Sequence, residues 1–151
     1  MKRVRAALEA AGLDPQIRET ALARTAADAA TAIGCTVDQI AKSIIFRGET
    51  SGAAILFLTA GGNRVDTARA AGVAGEPLGK ADASLVRAQT GFAIGGVAPV
   101  GHLNPIRAFL DPRLQAFDVV WAAAGTPHHV FPVPPADLLR LTQAQVADFI
   151  S

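Results

Sequence analysis

Lys42 stands directly before the apolar run Ser43–Phe46, at the mouth of what that run predicts to be a strand. An ammonium there reaches a phosphate, carboxylate or carbonyl oxygen as a point charge. The competing reading is a solvated lysine that keeps a strand edge from pairing. Lys80, between Gly79 and a predicted helix start, has the same two readings and a poorer position. The second candidate is Gly91–His102, GFAIGGVAPVGH, which opens as an apolar strand and runs into Gly95, Gly96, Pro99 and Gly101. Glycine admits close approach to the backbone. Amides after a strand can be aimed at a carbonyl oxygen or a developing oxyanion, with Pro99 pre-setting the turn. The plain alternative is a buried strand closed by the usual turn residues.

Other chemistry finds less support. His102, His128 and His129 are the three histidines, and adjacent side chains in extended backbone point to opposite faces, so His128 and His129 do not both enter one site if their segment is a strand. Without spaced Cys or acidic partners no metal site is expected. Cys35 follows Gly34 near a helix end, where the dipole does not activate a thiol; it reads as a small buried filler. No GxSxG elbow, Walker loop or GxGxxG signature occurs. Asp28 and Asp66 fall on predicted helices as caps or solvated faces, and nothing pairs them as catalytic carboxylates.

The elements that must position these residues follow from periodicity. Val4, Ala7, Leu8 and Ala11 recur at helical spacing and Gly12 stops that helix. IRET reads as a short strand. Thr25 caps AADAATAIGC and Thr36 caps VDQIAK, two short helical turns forming a corner. KSIIFRG and GAAILFLTA, separated by Gly48–Gly52, form an antiparallel hairpin. NRVDTARAAG and KADASLVRAQTG are helices closed by Gly72 and Gly91. GFAIGGVAPVGH follows as a strand, Asn104–Phe117 as a short helix or turns broken by Pro112, and DVVWAAAG as a buried strand. The chain ends in helical PADLLRLTQAQVADFI, with Thr142 capping a last short helix. The mixture fits one α+β domain spanning 1–151, a mixed and mostly antiparallel sheet surrounded by helices.

Composition bounds the rest. A chain of 151 residues, half of them hydrophobic, buries one core unaided. A single cysteine excludes an intrachain disulfide and fits a reducing, cytoplasmic setting. No apolar run reaches membrane-spanning length. Net charge is +1, which argues against coating a nucleic-acid duplex and leaves room for a small local contact.

Taken together, Lys42 heading its strand, GGVAPVGH in the middle and VWAAAGTPHHVFPVPPADLLRLT near the end resemble the YbaK/ProX family from the first helix to Leu141. That family comprises aminoacyl-tRNA deacylases related to the editing insertion domain of bacterial prolyl-tRNA synthetases. The resemblance implies that Lys42 faces the substrate pocket and that Gly95, Gly96, Val97, Ala98 and Pro99 form a GxxxP loop. In that loop Gly96 and neighbouring amides hold the ester carbonyl. It further implies that Ala124–Val130, with Gly125 and either His128 or His129, completes the wall, and that Ile44, Phe46 and Val97 face a small aminoacyl group such as Ala, Cys, Ser or Thr on tRNA for proline. With the charge near neutral, recognition falls mostly on the acceptor end, helped by Arg3, Arg5, Arg64 or Arg69 unless these four are simply solvated charges. No metal or organic cofactor, membrane or DNA is implied; a synthetase is a possible partner. The alternative is a noncatalytic member of the fold that binds tRNA ends or a synthetase.

Overall fold

The computed structural model describes residues 1–151. Its centre is β3 (Ala54–Ala60), whose seven residues are all buried, as an uninterrupted apolar run requires of a strand covered on both faces. It pairs antiparallel with β2 (Ile40–Gly48) from Ala41↔Ala60 to Arg47↔Ala54, the hairpin expected from the sequence. Around this pair lie β1 (Arg18–Glu19), β4 (Leu78–Lys80), β5 (Arg107–Leu110), β6 (Val120–Ala123), β7 (His129–Val133) and β8 (Gln145–Val146). The order is β1-β7-β6-β2-β3-β5-β8, with β4 joined to β2. The pairings β2–β6, β3–β5 and β5–β8 are parallel and the others antiparallel.

The helices are α1 (Lys2–Ala10), α2 (Ala26–Ile33), α3 (Thr67–Ala74), α4 (Ala83–Thr90) and α5 (Pro135–Thr142). Thr25 caps α2, its hydroxyl accepting from Asp28 N–H at 3.1 Å, and Asp66 caps α3 by accepting from Ala68 and Arg69; each cap contributes about 1 kcal/mol. One face of the sheet packs Leu56, Leu58 and Phe131 against Val4 and Leu8 of α1, Val86 of α4 and Leu138 of α5. On the other, Phe57 stacks on Phe109 at 5.3 Å and meets Phe149 edge-on at 5.0 Å, with Ala70 and Ala74 of α3 alongside.

Several local expectations give way. Gly72 lies inside α3, and the left-handed terminator is Gly75, φ 80°. The turn capped by Thr36 is a 3-10 turn over Val37–Gln39 only, because Ile40 and Ala41 pair with β6. Asn104–Phe117 holds β5 before its 3-10 turn at Pro112–Ala116, the parallel partner β3 overriding local helix preference. Thr142 caps nothing beyond α5; its hydroxyl donates back to Leu138 C=O at 2.8 Å, and β8 follows.

Gly91–His102 is the main correction: it is an irregular loop, buried from Gly96 to Val100. Positive φ at Gly91, Gly95 and Gly101 breaks any pleat, and Pro99 has no N–H for a ladder. The loop is held from outside instead. Arg3 donates to Gly91 C=O at 2.8 Å and Gly101 C=O at 3.0 Å, bracketing both ends, with its guanidinium 4.8 Å above the Phe92 ring. His102 binds Ala98 C=O through Nε2 at 2.7 Å; the carbonyl only accepts, so Nε2 carries the proton.

Burial holds His102 below its ordinary pKa of 6.5; the Ala98 bond opposes this and the Arg3 charge adds to it. Below pH 6.5 the unfolded chain therefore binds more protons than the native one, and the native state loses stability as pH falls toward and through the lowered value. The urea midpoint of His102→Gln, which keeps a donor, is expected to fall less between pH 7 and 5 than that of the wild type. Parallel curves would remove His102 from the acid response.

Candidate functional site

The site arises from a split in the sheet. On the side away from β3, β2 is covered by β6 at Ile40 and Ala41 and by β4 at Phe46–Gly48, which leaves Lys42–Ile45 without a neighbouring strand. Gly48 N–H bonds Ala53 C=O, so even-numbered residues of β2 turn their main-chain groups to β3 and Ser43 turns its own to the gap. A cavity of about 940 Å³ fills this gap.

Lys42 lines it, half-buried, and donates from Nζ to Asn63 C=O at 2.7 Å. Two ammonium protons remain for a ligand. The Asn63 amide in turn donates to Asp111 Oδ2 at 2.9 Å, and buried Asp111 also accepts from Ala60 N–H at 3.1 Å and Arg113 N–H at 2.9 Å. A buried carboxylate thus fixes the turn that fixes the lysine. Burial lowers the Lys42 pKa from its ordinary 10.5 and Arg64 lowers it further, Asp111 and Asp38 opposing. Arg64 itself lines the cavity, as do Arg24 and Lys80. Arg3 and Arg69 do not reach it; Arg3 holds the loop and Arg69 pairs with Asp148 at 3.3 Å. Arg5 is also outside the lining.

Of the glycine loop, Gly95 and Val97 line the cavity, while Gly96, Ala98 and Pro99 are buried behind it. Gly96 is small because two backbones meet there: a Cβ would lie 2.8 Å from Thr126 Cα. Its N–H bonds Ala93 C=O at 3.1 Å, so it is not the free donor the resemblance implied. The N–H groups of Val97 and Ala98 have no acceptor within the protein.

The late segment contributes Thr126 and His129 to the lining. The Thr126 hydroxyl is 2.7 Å from His129 Nδ1, and His129 Nε2 faces Glu19 at 3.9 Å. His128 is exposed outside the lining, and of the pair only His129 is on it. Gly125, φ 101°, packs against Phe92 away from the cavity. Ile44 and Phe46 also line it, packed with Phe57, and Val97 packs in the core of the opposite face. Cys35 is half-buried, and burial pushes its thiol above the ordinary pKa, as suits an inert filler.

Ser43, Thr126 and the Asn63–Asp111 pair carry no motif and escape a reading of the sequence; a hydroxyl inside an apolar strand run is the one visible hint. Ser43 Oγ is buried with no hydrogen-bond partner, a cost of about 1–3 kcal/mol. Ser43→Ala is expected to raise the urea-unfolding free energy by about 1 kcal/mol; destabilisation of that size would show that the hydroxyl is satisfied.

The description of an aminoacyl-tRNA editing domain matches residues 20–141. An uncharacterized protein of Bacillus subtilis (strain 168), YwhH, is 33% identical over 122 residues, covering 81% of this chain and 77% of that protein. Among solved structures, a candidate trans-editing enzyme for prolyl tRNA synthetase superposes with a TM-score of 0.92 at 49% identity, covering 99% of this chain and 96% of that one. The hypothetical protein APE2540 superposes with a TM-score of 0.89 at 27% identity over 99% of both chains. With a mixed eight-stranded sheet split at Lys42 and a family match across most of its length, the chain belongs to the aminoacyl-tRNA editing domain family of YbaK type.

Proposed function

We propose that the protein is a freestanding deacylase that hydrolyses the ester of a small amino acid mischarged on tRNA, with tRNA for proline the leading carrier. The observation that carries this reading is a cavity lined by Lys42, by Val97, whose N–H has no acceptor within the protein, by three further cationic side chains and by no carboxylate. Such a lining suits a ligand that is an anion at one end and a carbonyl at the other. The solved relative named for trans-editing supports the same class.

In the reaction, water oxygen bonds the ester carbonyl carbon, the bond to the ribose oxygen breaks, and that oxygen leaves with a proton as a hydroxyl. The ester is already activated, so positioning and charge stabilisation suffice and no protein nucleophile is required. Lys42 holds the terminal phosphate or ribose region. Val97 N–H donates to the carbonyl oxygen in place of Gly96. The outward carbonyl of Ser43 gives the substrate ammonium an acceptor, and a neighbouring ribose hydroxyl assists the water. A second site of this kind removes errors that a synthetic pocket cannot, since one methylene is worth only about 1–3 kcal/mol there.

Purified protein incubated with a panel of alanyl-, seryl-, cysteinyl-, threonyl- and prolyl-tRNA tests this by the rate of ester loss. Loss of one or more small noncognate groups with prolyl-tRNA spared supports a deacylase; binding without ester loss throughout supports a noncatalytic module instead. Repeating the assay with a synthetase added tests the need for that partner.

A further inference from the structure

Asp111 is 2% exposed, and no lysine, arginine or histidine side chain pairs with it. A buried carboxylate without a cation beside it is costly, so its place in the fold needs a reason. One oxygen, Oδ1, accepts from Arg113 N–H at 2.9 Å and caps the 3-10 turn Pro112–Ala116. A neutral Asn or Ser would cap that turn as well. The other oxygen, Oδ2, does something that capping does not require: it accepts from Ala60 N–H at 3.1 Å and from the Asn63 side-chain amide at 2.9 Å.

Ala60 and Asn63 are the two ends of one turn, closed by Asn63 N–H on Ala60 C=O at 2.9 Å, so Oδ2 grips that turn at both ends. From the other side Asp38 accepts from Gly62 N–H at 2.9 Å, and Arg113 Nε donates to Asp38 at 3.1 Å. Between the two carboxylates the turn presents the Asn63 carbonyl to Lys42 Nζ at 2.7 Å. Asp38, Asp111 and Arg113 all lie outside the cavity lining, and their hydrogen bonds reach the lysine only through the turn. The charges around Lys42 oppose one another: Arg64 disfavours its ammonium, while Asp111 and Asp38 favour it. Arg24, Lys80 and His129 line the same cavity and bring no negative charge. Asp38 shares its charge with Arg113, so of the two carboxylates acting on Lys42 only Asp111 is unshared.

We propose that Asp111 is the positioning residue of Lys42: acting from outside the cavity through the Ala60–Asn63 turn, it keeps the ammonium charged and aimed at the ligand. That this ligand carries an ester rests on the deacylase reading; the coupling of Asp111 to Lys42 does not, and it is tested without substrate. Lysine occurs only as Lys2, Lys42 and Lys80, so carbon NMR of lysines labelled at Cε resolves each of them, and the Lys42 resonance is the one lost in Lys42→Ala. Asp111→Asn keeps the shape and a capping carbonyl but sets a donor where the turn needs an acceptor. Its Lys42 titration is expected to move down by about half a unit or more, less than a directly paired carboxylate gives because the turn lies between. The pH at which KM for ester release begins to rise should move down with it. Asp111→Ser, another capping residue, replaces that variant should it not fold. Leu8→Ala, a core truncation in α1 that loosens the fold without touching the turn, should leave the titration unmoved. An unmoved Lys42 titration in the Asp111 variants, or an equal shift in Leu8→Ala, would overturn the proposal. The shift in Asp111→Asn alone, with no ester loss from wild-type protein on the aminoacyl-tRNA panel, would uphold the coupling and remove the deacylase reading instead.

Discussion

Lys42→Ala is expected to lower kcat/KM for ester release by at least about 100-fold, the scale of losing one preorganised charge-stabilising donor, while the native fold persists. The lysine gives one proton to Asn63 C=O and keeps two for the ligand, in a cavity without carboxylates to compete for them. Its charge is not a strong source of stability, because burial and Arg64 both disfavour it. The sign is opposite to that of a paired lysine. With the folded pKa below 10.5, the unfolded chain binds more protons in the interval between the two values, so the native state gains stability as pH rises through that interval. Lys42→Ala should therefore unfold at a urea midpoint at or above that of the wild type at neutral pH, and its kinetic loss cannot be blamed on unfolding. Turnover within threefold of wild type would remove Lys42 from the reaction. In the wild type, KM corrected for spontaneous ester loss should begin to rise with pH below 10.5.

Gly96→Val is the second large effect and acts through packing. Its Cβ would lie 2.8 Å from Thr126 Cα and 2.9 Å from the Thr126 carbonyl carbon. Both are backbone atoms, with no flexible end to move aside. The substitution is expected to cost about 1–3 kcal/mol as overpacking and to push apart the two loops that place Val97 and His129. Activity falls with it, since Thr126 holds the His129 ring at 2.7 Å. Gly95→Ala is the contrast: its Cβ meets nothing within 4 Å, but φ is 96°, so it carries backbone strain of about 1–2 kcal/mol without a clash. Urea unfolding and single-turnover ester release separate the two. Gly96→Ala with wild-type stability would show that the loops have room to yield.

The β2–β3 hairpin is legible because a continuous apolar run on either side of Gly48–Gly52 has few other solutions, and Thr25 is legible as a cap because its partner is three residues away. Gly91–His102 is not. Its composition suits a strand, and what decides otherwise is Arg3, nearly a hundred residues earlier, together with the Ala98 carbonyl that His102 ties down. The resemblance groups Lys42, the glycine loop and the late segment but assigns Gly96 a donor role, whereas its N–H already bonds Ala93 C=O. Ser43 and the Asp111–Asn63–Lys42 chain were beyond sequence reading for another reason: a buried hydroxyl without a partner and a carboxylate reaching across from the end of β5 exist only once the sheet has closed.

The split in the sheet also bears on how the protein behaves in a crowded solution. A strand with bare main-chain groups is an invitation to another chain's strand, the usual route to edge-to-edge aggregation. Here the bare stretch of β2 is only Lys42–Ile45, with β6 closing one end and β4 the other. A slot that short refuses a strand of ordinary length, about 5–6 residues. The same two flanking strands that open the site therefore protect it from self-association.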